Sequence, residues 1–209
     1  MDFRQLRPFF ESAGIPAAGC CRWDPAFIRP DSHLKNRLPD GAASILCALF
    51  PYYTKALEHP DRNLSRYACV PDYHVVVGQY LTRVTEALSA AYPRQAFQPF
   101  CDASPLYERE VAVQAGLGVR GEHGLLIHPV FGSYCFIGTI VTTLSVTPTA
   151  PSGRDTCRRC GRCRRLSGTG ADVRGIFAAP VPFLPDPAKG RSHGGGGCSR
   201  HQRNARVGL

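Results

Sequence analysis

Apolar positions change their period several times along the first 150 residues, and each change marks an element. Phe3, Leu6, Phe9 and Phe10 recur at helical spacing, and Gly14 followed by Pro16 ends that helix. Residues 43–49 form a short continuous apolar run between Asp40-Gly41 and Pro51, as in a buried strand. A connection bearing Pro, Tyr and Asn covers residues 51–71. Asp72 is placed to cap a long helix through Val75, Val76, Tyr80, Leu81, Val84 and Leu88, which Pro93 stops. Residues 96–101 read as a strand, and Pro99 within it points to a sheet edge. Residues 106–115 read as a helix closed by Gly116. Residues 125–127 and 134–143, rich in β-branched and aromatic side chains, read as strands. Strands interleaved with helices predict an α/β layer structure.

This order ends at Cys163. Residues 164–209 contain nine Gly, four Pro and seven Arg, show neither period, and read as disordered. The same boundary explains the net charge of +9. Residues 1–163 hold 17 Lys and Arg against 14 Asp and Glu, whereas residues 164–209 hold 8 against 2. The basic excess therefore belongs mainly to the tail and says little about a nucleic-acid partner. No apolar run reaches the roughly 18 residues that span a bilayer, and the N-terminus lacks the features of a secretory signal. These features predict a cytoplasmic protein with no membrane contact.

Ten cysteines are many for such a compartment. Cys20, Cys21, Cys47, Cys69, Cys101, Cys135 and Cys198 are scattered, and each reads as a small buried hydrophobe. Cys157-x-x-Cys160-x-x-Cys163 has the opening spacing of a bacterial ferredoxin run and predicts three ligands of a four-iron cluster. A zinc site is the alternative. Ser167-Gly168 stands where Cys-Pro would complete the run. Gly116-x-Gly118-x-x-Gly121 has the letters of a dinucleotide loop, but a helix precedes it and a strand follows, the reverse of what that loop needs. Glycines admitting a different flat or bulky cofactor fit better. Asp102, after a strand, is either a helix cap or a general acid facing a pocket. Asp72-Tyr73-His74 joins a helix cap to two side chains able to hydrogen-bond a ligand. His123 and His128 alone read as surface histidines.

The motifs also have a consistent order. Leu64-Ser65-Arg66-Tyr67-Ala68 leads to Asp72-Tyr73-His74, then Asp102-x-Ser104-Pro105-Leu106-x-Glu108, then Ala115-Gly116-Leu117-Gly118-x-x-Gly121-x-His123. Leu126-Ile127, Gly132-Ser133-Tyr134-x-Phe136-Ile137-Gly138 and the cysteine run follow. Over roughly residues 40–163 this series resembles the epoxyqueuosine reductases and their shorter iron–sulfur paralogues. The resemblance implies an α/β fold class: a cobalamin-binding α/β domain at 1–150, then the start of a truncated ferredoxin-like domain at 151–163. It implies cobalamin and two four-iron clusters in an intact member, at most one of them here. Electrons would come from a flavodoxin or ferredoxin, and epoxyqueuosine in tRNA would be reduced to queuosine. By the same resemblance Asp102 is the proton donor, Tyr73, His74, Gly118 and His123 belong to the cobalamin pocket, and Cys157, Cys160 and Cys163 hold the first cluster. Glu122 departs from the Lys or Asn common at its position. The alternatives are a corrinoid reductase of a small molecule and a non-catalytic metal- or nucleic-acid-binding protein.

The resemblance also accounts for the tail. With permitted third bases and a shift of one base, Arg164-Arg165-Leu166-Ser167 reads Ala-Ala-Cys-Pro. In that same frame residues 181–189 read Cys-Leu-Ser-Tyr-Leu-Thr-Gln-Gln-Lys, and Val207-Gly208-Leu209 with a TGA stop reads Trp-Gly-Cys-Asp. These are family segments in family order. Residues 164–209 are therefore expected to be out of frame. A loss of about two bases near codon 164 would remove the local Cys-Pro and the second cluster run, whose fourth cysteine serves the other cluster in two-cluster folds.

Overall fold

The structure is a computed structural model that describes residues 1–53, 68, 70–150, 157, 160 and 161. Cys163, the tail at 164–209, and residues 54–67 and 69 of the 51–71 connection, with Leu64–Tyr67 of its motif, lie outside the described residues. The boundary proposed at 163 does so as well, and the one at 150 coincides with the edge of the described residues.

A four-stranded sheet in the order β1-β2-β6-β3 organises the chain. Its strands are β1 (Ala17–Arg22), β2 (Ser44–Pro51), β3 (Phe97–Cys101) and β6 (Cys135–Thr142). All three pairings are antiparallel. A separate two-stranded piece pairs β4 (Val119–Arg120) with β5 (Leu126–Ile127). Helix α1 (Arg7–Ser12) and the long α2 (Tyr73–Ala91) pack on one face of the main sheet, and α3 (Glu108–Gln114) packs on the other.

The continuous apolar run in β2 follows from this layering. Leu46, Ala48 and Phe50 point into the core under α1 and α2. Ile45, Cys47 and Leu49 point into the core under α3. Alternation along a strand sends neighbours to opposite faces, so a strand covered on both sides has no polar face to keep. Helix α2 contributes Val77, Leu81, Val84 and Leu88, a stripe spaced by three and four residues. Gly138 of β6 makes the seat for that stripe, since a side chain there would press on Leu81 and Phe50.

The expected elements are present, and β3 lies at the sheet edge as Pro99 requires. The α/β layering holds, although no strand pair is parallel among the described residues. Strand β1 was not anticipated. Its sequence, AAGCCR, lacks the branched and aromatic residues that mark strands. It forms because β2 offers a full ladder on one side, while Thr149 exchanges bonds with Cys20 on the other. Helix α3 is also shorter than expected. The Asp102–Leu106 turn takes up the first residues, and the N-cap is Tyr107, which makes no side-chain cap. Asp102 is therefore not a helix cap.

Candidate functional site

The chain leaves β3 through a tight turn. Asp102 adopts φ 60°, the left-handed region, and is alone among the described non-glycine residues in doing so. Asp tolerates this conformation better than most residues, at a cost of about 1 kcal/mol or more. The Ser104 N–H donates to the Asp102 carbonyl at 2.6 Å, and the Leu106 N–H donates to the buried Ser104 Oγ at 3.2 Å. The strained residue is thus held from below, and its side chain is turned toward the start of α2.

Helix α2 supplies its partners. Asp72 caps the helix by accepting the His74 N–H at 3.0 Å, and the same oxygen meets His74 Nδ1 at 2.9 Å. The opposite ring nitrogen, Nε2, lies 2.8 Å from Asp102 Oδ2. His74 is therefore clamped between two carboxylates, one mostly outward and one mostly inward. Burial lowers the imidazole's pKa, but the hydrogen bonds and charges of Asp102 and Asp72 outweigh that and raise it. A histidine raised in the folded state ties α2 to the β3–α3 turn most firmly below its unfolded value. That contribution is lost as pH rises through the folded value.

Tyr73 completes the group. Its ring stacks on His74 at 4.1 Å and on Phe136 at 4.2 Å. Burial pushes its phenol well above the usual range, and the charge and hydrogen bond of Asp102 push it further. From Phe136 a rail of rings continues through Tyr52 (4.6 Å) and Tyr134 (6.0 Å from Tyr52) to Tyr53 (4.8 Å). Tyr53 and Tyr134 are exposed. The rail runs along the sheet end where β2 finishes, β6 begins and β3 finishes.

Glu108 was not assigned a role from sequence, yet it belongs to this neighbourhood. It opens α3, and its Oε1 is buried without a hydrogen-bond partner. Burial, then the charge of Asp102, raises its carboxyl well above the ordinary range and favours the neutral acid. One sequence signal did exist. Glu108, Val111, Ala112 and Ala115 fall at i, i+3, i+4 and i+7, so Glu108 stands on the buried stripe of its own helix.

The remaining predicted residues lie elsewhere. Gly118 and His123 flank β4, in the two-stranded unit beyond α3. The bare α-carbon of Gly118 (φ 154°) faces the Ile127 carbonyl, and a side chain would collide with it. His123 Nδ1 accepts the Leu125 N–H at 3.0 Å, and burial lowers this histidine's pKa. The Gly116–Gly121 loop follows a helix and leads into a strand, as the sequence indicated. Cys157 is half-buried and Cys160 exposed, while Cys163 lies outside the described residues. Among the described residues no group of three or more metal-binding side chains comes together. Of the scattered cysteines, Cys20, Cys21 and Cys47 are buried, and burial raises the first two thiols to about 12. These are inert packing residues. Cys101 and Cys135 are half-buried, and Cys69 and Cys198 lie outside the described residues.

Residues 33–103, which include the Asp72–His74 clamp and Asp102, match the family described as epoxyqueuosine reductase QueG, DUF1730. An epoxyqueuosine reductase of Synechococcus sp. (strain CC9605) is 39% identical over 165 residues, 78% of this chain and 48% of the relative. Over the matched region this chain is similar to the epoxyqueuosine reductases. The Escherichia coli (strain K12) epoxyqueuosine reductase is 31% identical over 150 residues, covering 71% of this chain and 37% of its own length. The chain thus spans about half the length, or less, of these curated relatives. Among solved structures, an epoxyqueuosine reductase with a tRNA-Tyr epoxyqueuosine-modified stem loop superposes with a TM-score of 0.67 at 23% identity, covering 81% of this chain and 52% of that one. A reductive dehalogenase described as acting in B12-dependent dehalogenation superposes at 0.54 with 15% identity, over 77% and 24%. At these identities the likeness establishes a shared fold.

Proposed function

We propose that this chain carries the corrinoid-binding, proton-donating half of an epoxyqueuosine reductase, with Asp102 as the acid that protonates the epoxide oxygen. The observation that supports this best is the strained Asp102, held by His74 and Tyr73 beside an aromatic-lined sheet end. Left-handed aspartates persist where surrounding contacts over-determine them, and such positions concentrate at functional sites. A Bacillus subtilis relative of the same fold has been captured with an aspartate catalytic loop swung out of its active site.

The residues present fit a flat, conjugated macrocycle. Exposed rings of Tyr53 and Tyr134 continue into the Phe136–Tyr73 stack next to the acid. Both nitrogens of His74 are engaged by carboxylates, so His74 serves Asp102 and is not available as a cobalt ligand. Tyr73, His74 and the ring rail would border the corrin, with Gly118 and His123 on its far margin by resemblance. When bound, the reduced corrinoid supplies the two electrons. The chain's own residues orient the substrate, exclude water beside Tyr73, and hold a proton at Asp102. Epoxyqueuosine in tRNA is the substrate in this reading. A flavodoxin or ferredoxin delivers electrons in the cytoplasm through clusters whose first ligands are Cys157, Cys160 and Cys163. No helix among the described residues is long and apolar enough to cross a membrane.

Purified full chain, incubated with hydroxocobalamin and desalted, is expected to retain corrinoid absorbance. With titanium(III) citrate in place of the clusters, it should convert an epoxyqueuosine-bearing stem loop to the queuosine form by mass spectrometry. A folded chain that retains no corrinoid would overturn the reading. Retention and reduction without conversion would favour the small-molecule alternative.

We further propose that residues 164–209 are read out of frame. Resequencing from codon 150 through the stop should show about two further bases near codon 164, restoring a Cys-Pro after a three-residue gap from the third cysteine. An unchanged sequence would make the chain a true variant, with its cluster run incomplete.

A further inference from the structure

Deoxygenating an epoxide to an alkene breaks both C–O bonds, forms a C=C bond, and releases the oxygen as water. The change consumes two electrons and two protons. One carboxyl group supplies one proton, so the site must hold a second. The reading above assigns the electrons to the reduced corrinoid and the first proton to Asp102, and the inference here rests on that reading.

We propose that His74 is the reservoir of the second proton, delivered through Asp102, and that Asp72 holds His74 in its charged form. The geometry is a continuous line. Asp72 Oδ1 lies 2.9 Å from Nδ1, and Nε2 lies 2.8 Å from Asp102 Oδ2. In the imidazolium both nitrogens carry hydrogens, and both find carboxyl oxygens as acceptors, that of Asp102 neutral until its proton is given. After Asp102 gives its proton to the epoxide oxygen, its carboxylate takes the Nε2 hydrogen. The imidazole is then neutral, with its remaining hydrogen on Nδ1 facing Asp72. Asp102, protonated again, gives the second proton, and the oxygen departs as water. Asp72 is about half exposed, whereas Asp102 and His74 are mostly covered, so the array opens to solvent at the Asp72 end.

The groups facing His74 support its charged state. Asp72 lies on the same helix start, Asp102 and Cys101 lie at the end of β3, and Glu108 lies beyond them at the head of α3. Glu108 is held neutral and Cys101 is held as the thiol, so the charges that count are Asp72 throughout and Asp102 once it has given up its proton. Their combined effect raises His74 above its ordinary value of 6.5.

The test compares the full chain with its Asp72→Asn variant. Asparagine can still cap α2 through its side-chain oxygen, so the fold should be retained. Imidazole resonances followed by NMR against pH should show His74 titrating above 6.5 in the parent chain and at lower pH in the variant. In the corrinoid-loaded chain driven by titanium(III) citrate, the alkaline limb of turnover should move down by the same interval. His74→Gln should remove that limb and slow turnover at least about tenfold. An unmoved His74 titration, or a limb that stays in place while the parent turns over, overturns the relay alone. A parent that binds corrinoid but never converts the stem loop removes the reaction and the second-proton role together.

Discussion

Replacing Asp102 with asparagine should lower turnover of the corrinoid-loaded chain by about 10²–10⁴-fold, the range expected when a general acid is lost. The substitution isolates the proton. Asparagine tolerates the left-handed backbone almost as well as aspartate, so the φ of 60° can be kept. Its side-chain oxygen still accepts from His74 Nε2. It has no acidic hydrogen to give and no charge to hold on His74. Two readouts should therefore change together: turnover falls, and the His74 titration moves to lower pH. Corrinoid retention and the thermal midpoint should stay close to those of the parent. A variant that turns over within tenfold of the parent would show that the proton comes from elsewhere, with Tyr73 the next group in contact. A variant that no longer binds corrinoid would make Asp102 a structural element of the pocket.

The chain's sequence made most of this site legible, for reasons that differ residue by residue. Asp72 was readable as a cap because a side-chain acceptor before an amphipathic helix has a local function, and the structure confirms that bond. The adjacent Tyr73 and His74 follow from that placement. Asp102 was ambiguous, because a carboxylate between a strand and a helix serves equally as a cap. The turn that pulls α3's start away excludes the cap, and the long-range contact with His74, 28 residues earlier, gives the carboxylate a different partner. Such contacts carry no periodic signal. Glu108 was passed over because acidic residues in a first helical turn ordinarily face solvent and complement the dipole. Its neighbours on the stripe were the better guide. Strand β1 was invisible for a related reason: Ala17, Ala18 and Gly19 have little strand preference, and they are extended because β2 needed a neighbour and α3 needed close approach. Gly118 was read for a cofactor, and the structure supplies a second, sufficient reason for a glycine there in the Ile127 carbonyl.

Gly19→Ala should be among the most damaging single-methyl changes in the chain, and Gly78→Ala the opposite. Gly19 sits in the middle of β1 opposite Cys47, where an added methyl would run into the Ala115 backbone carbonyl at the end of α3. Neither partner can yield easily. The strand is fixed by its ladder to β2 on one side and by Thr149 on the other. Ala115 is fully buried and closes α3 through its bond to the Val111 carbonyl. Relief requires moving the helix away from the sheet, which opens the core around Ile45, Leu49 and Val111. Overpacking of this kind costs about 3 kcal/mol, and more where backbone must move. Because α3 begins at Glu108 and hangs from the Asp102 turn, the same displacement should loosen the acid and weaken corrinoid retention. Gly78 lies in the interior of α2 with open space where a methyl would stand. There alanine should stabilise the chain by about 0.5–1 kcal/mol through helix propensity alone. Urea unfolding of both variants provides the check, with midpoints moving in opposite directions at an unchanged slope. A Gly19→Ala midpoint equal to the parent's would mean that α3 does not rest on β1 as described, and the support assigned to Asp102 from below would go with it.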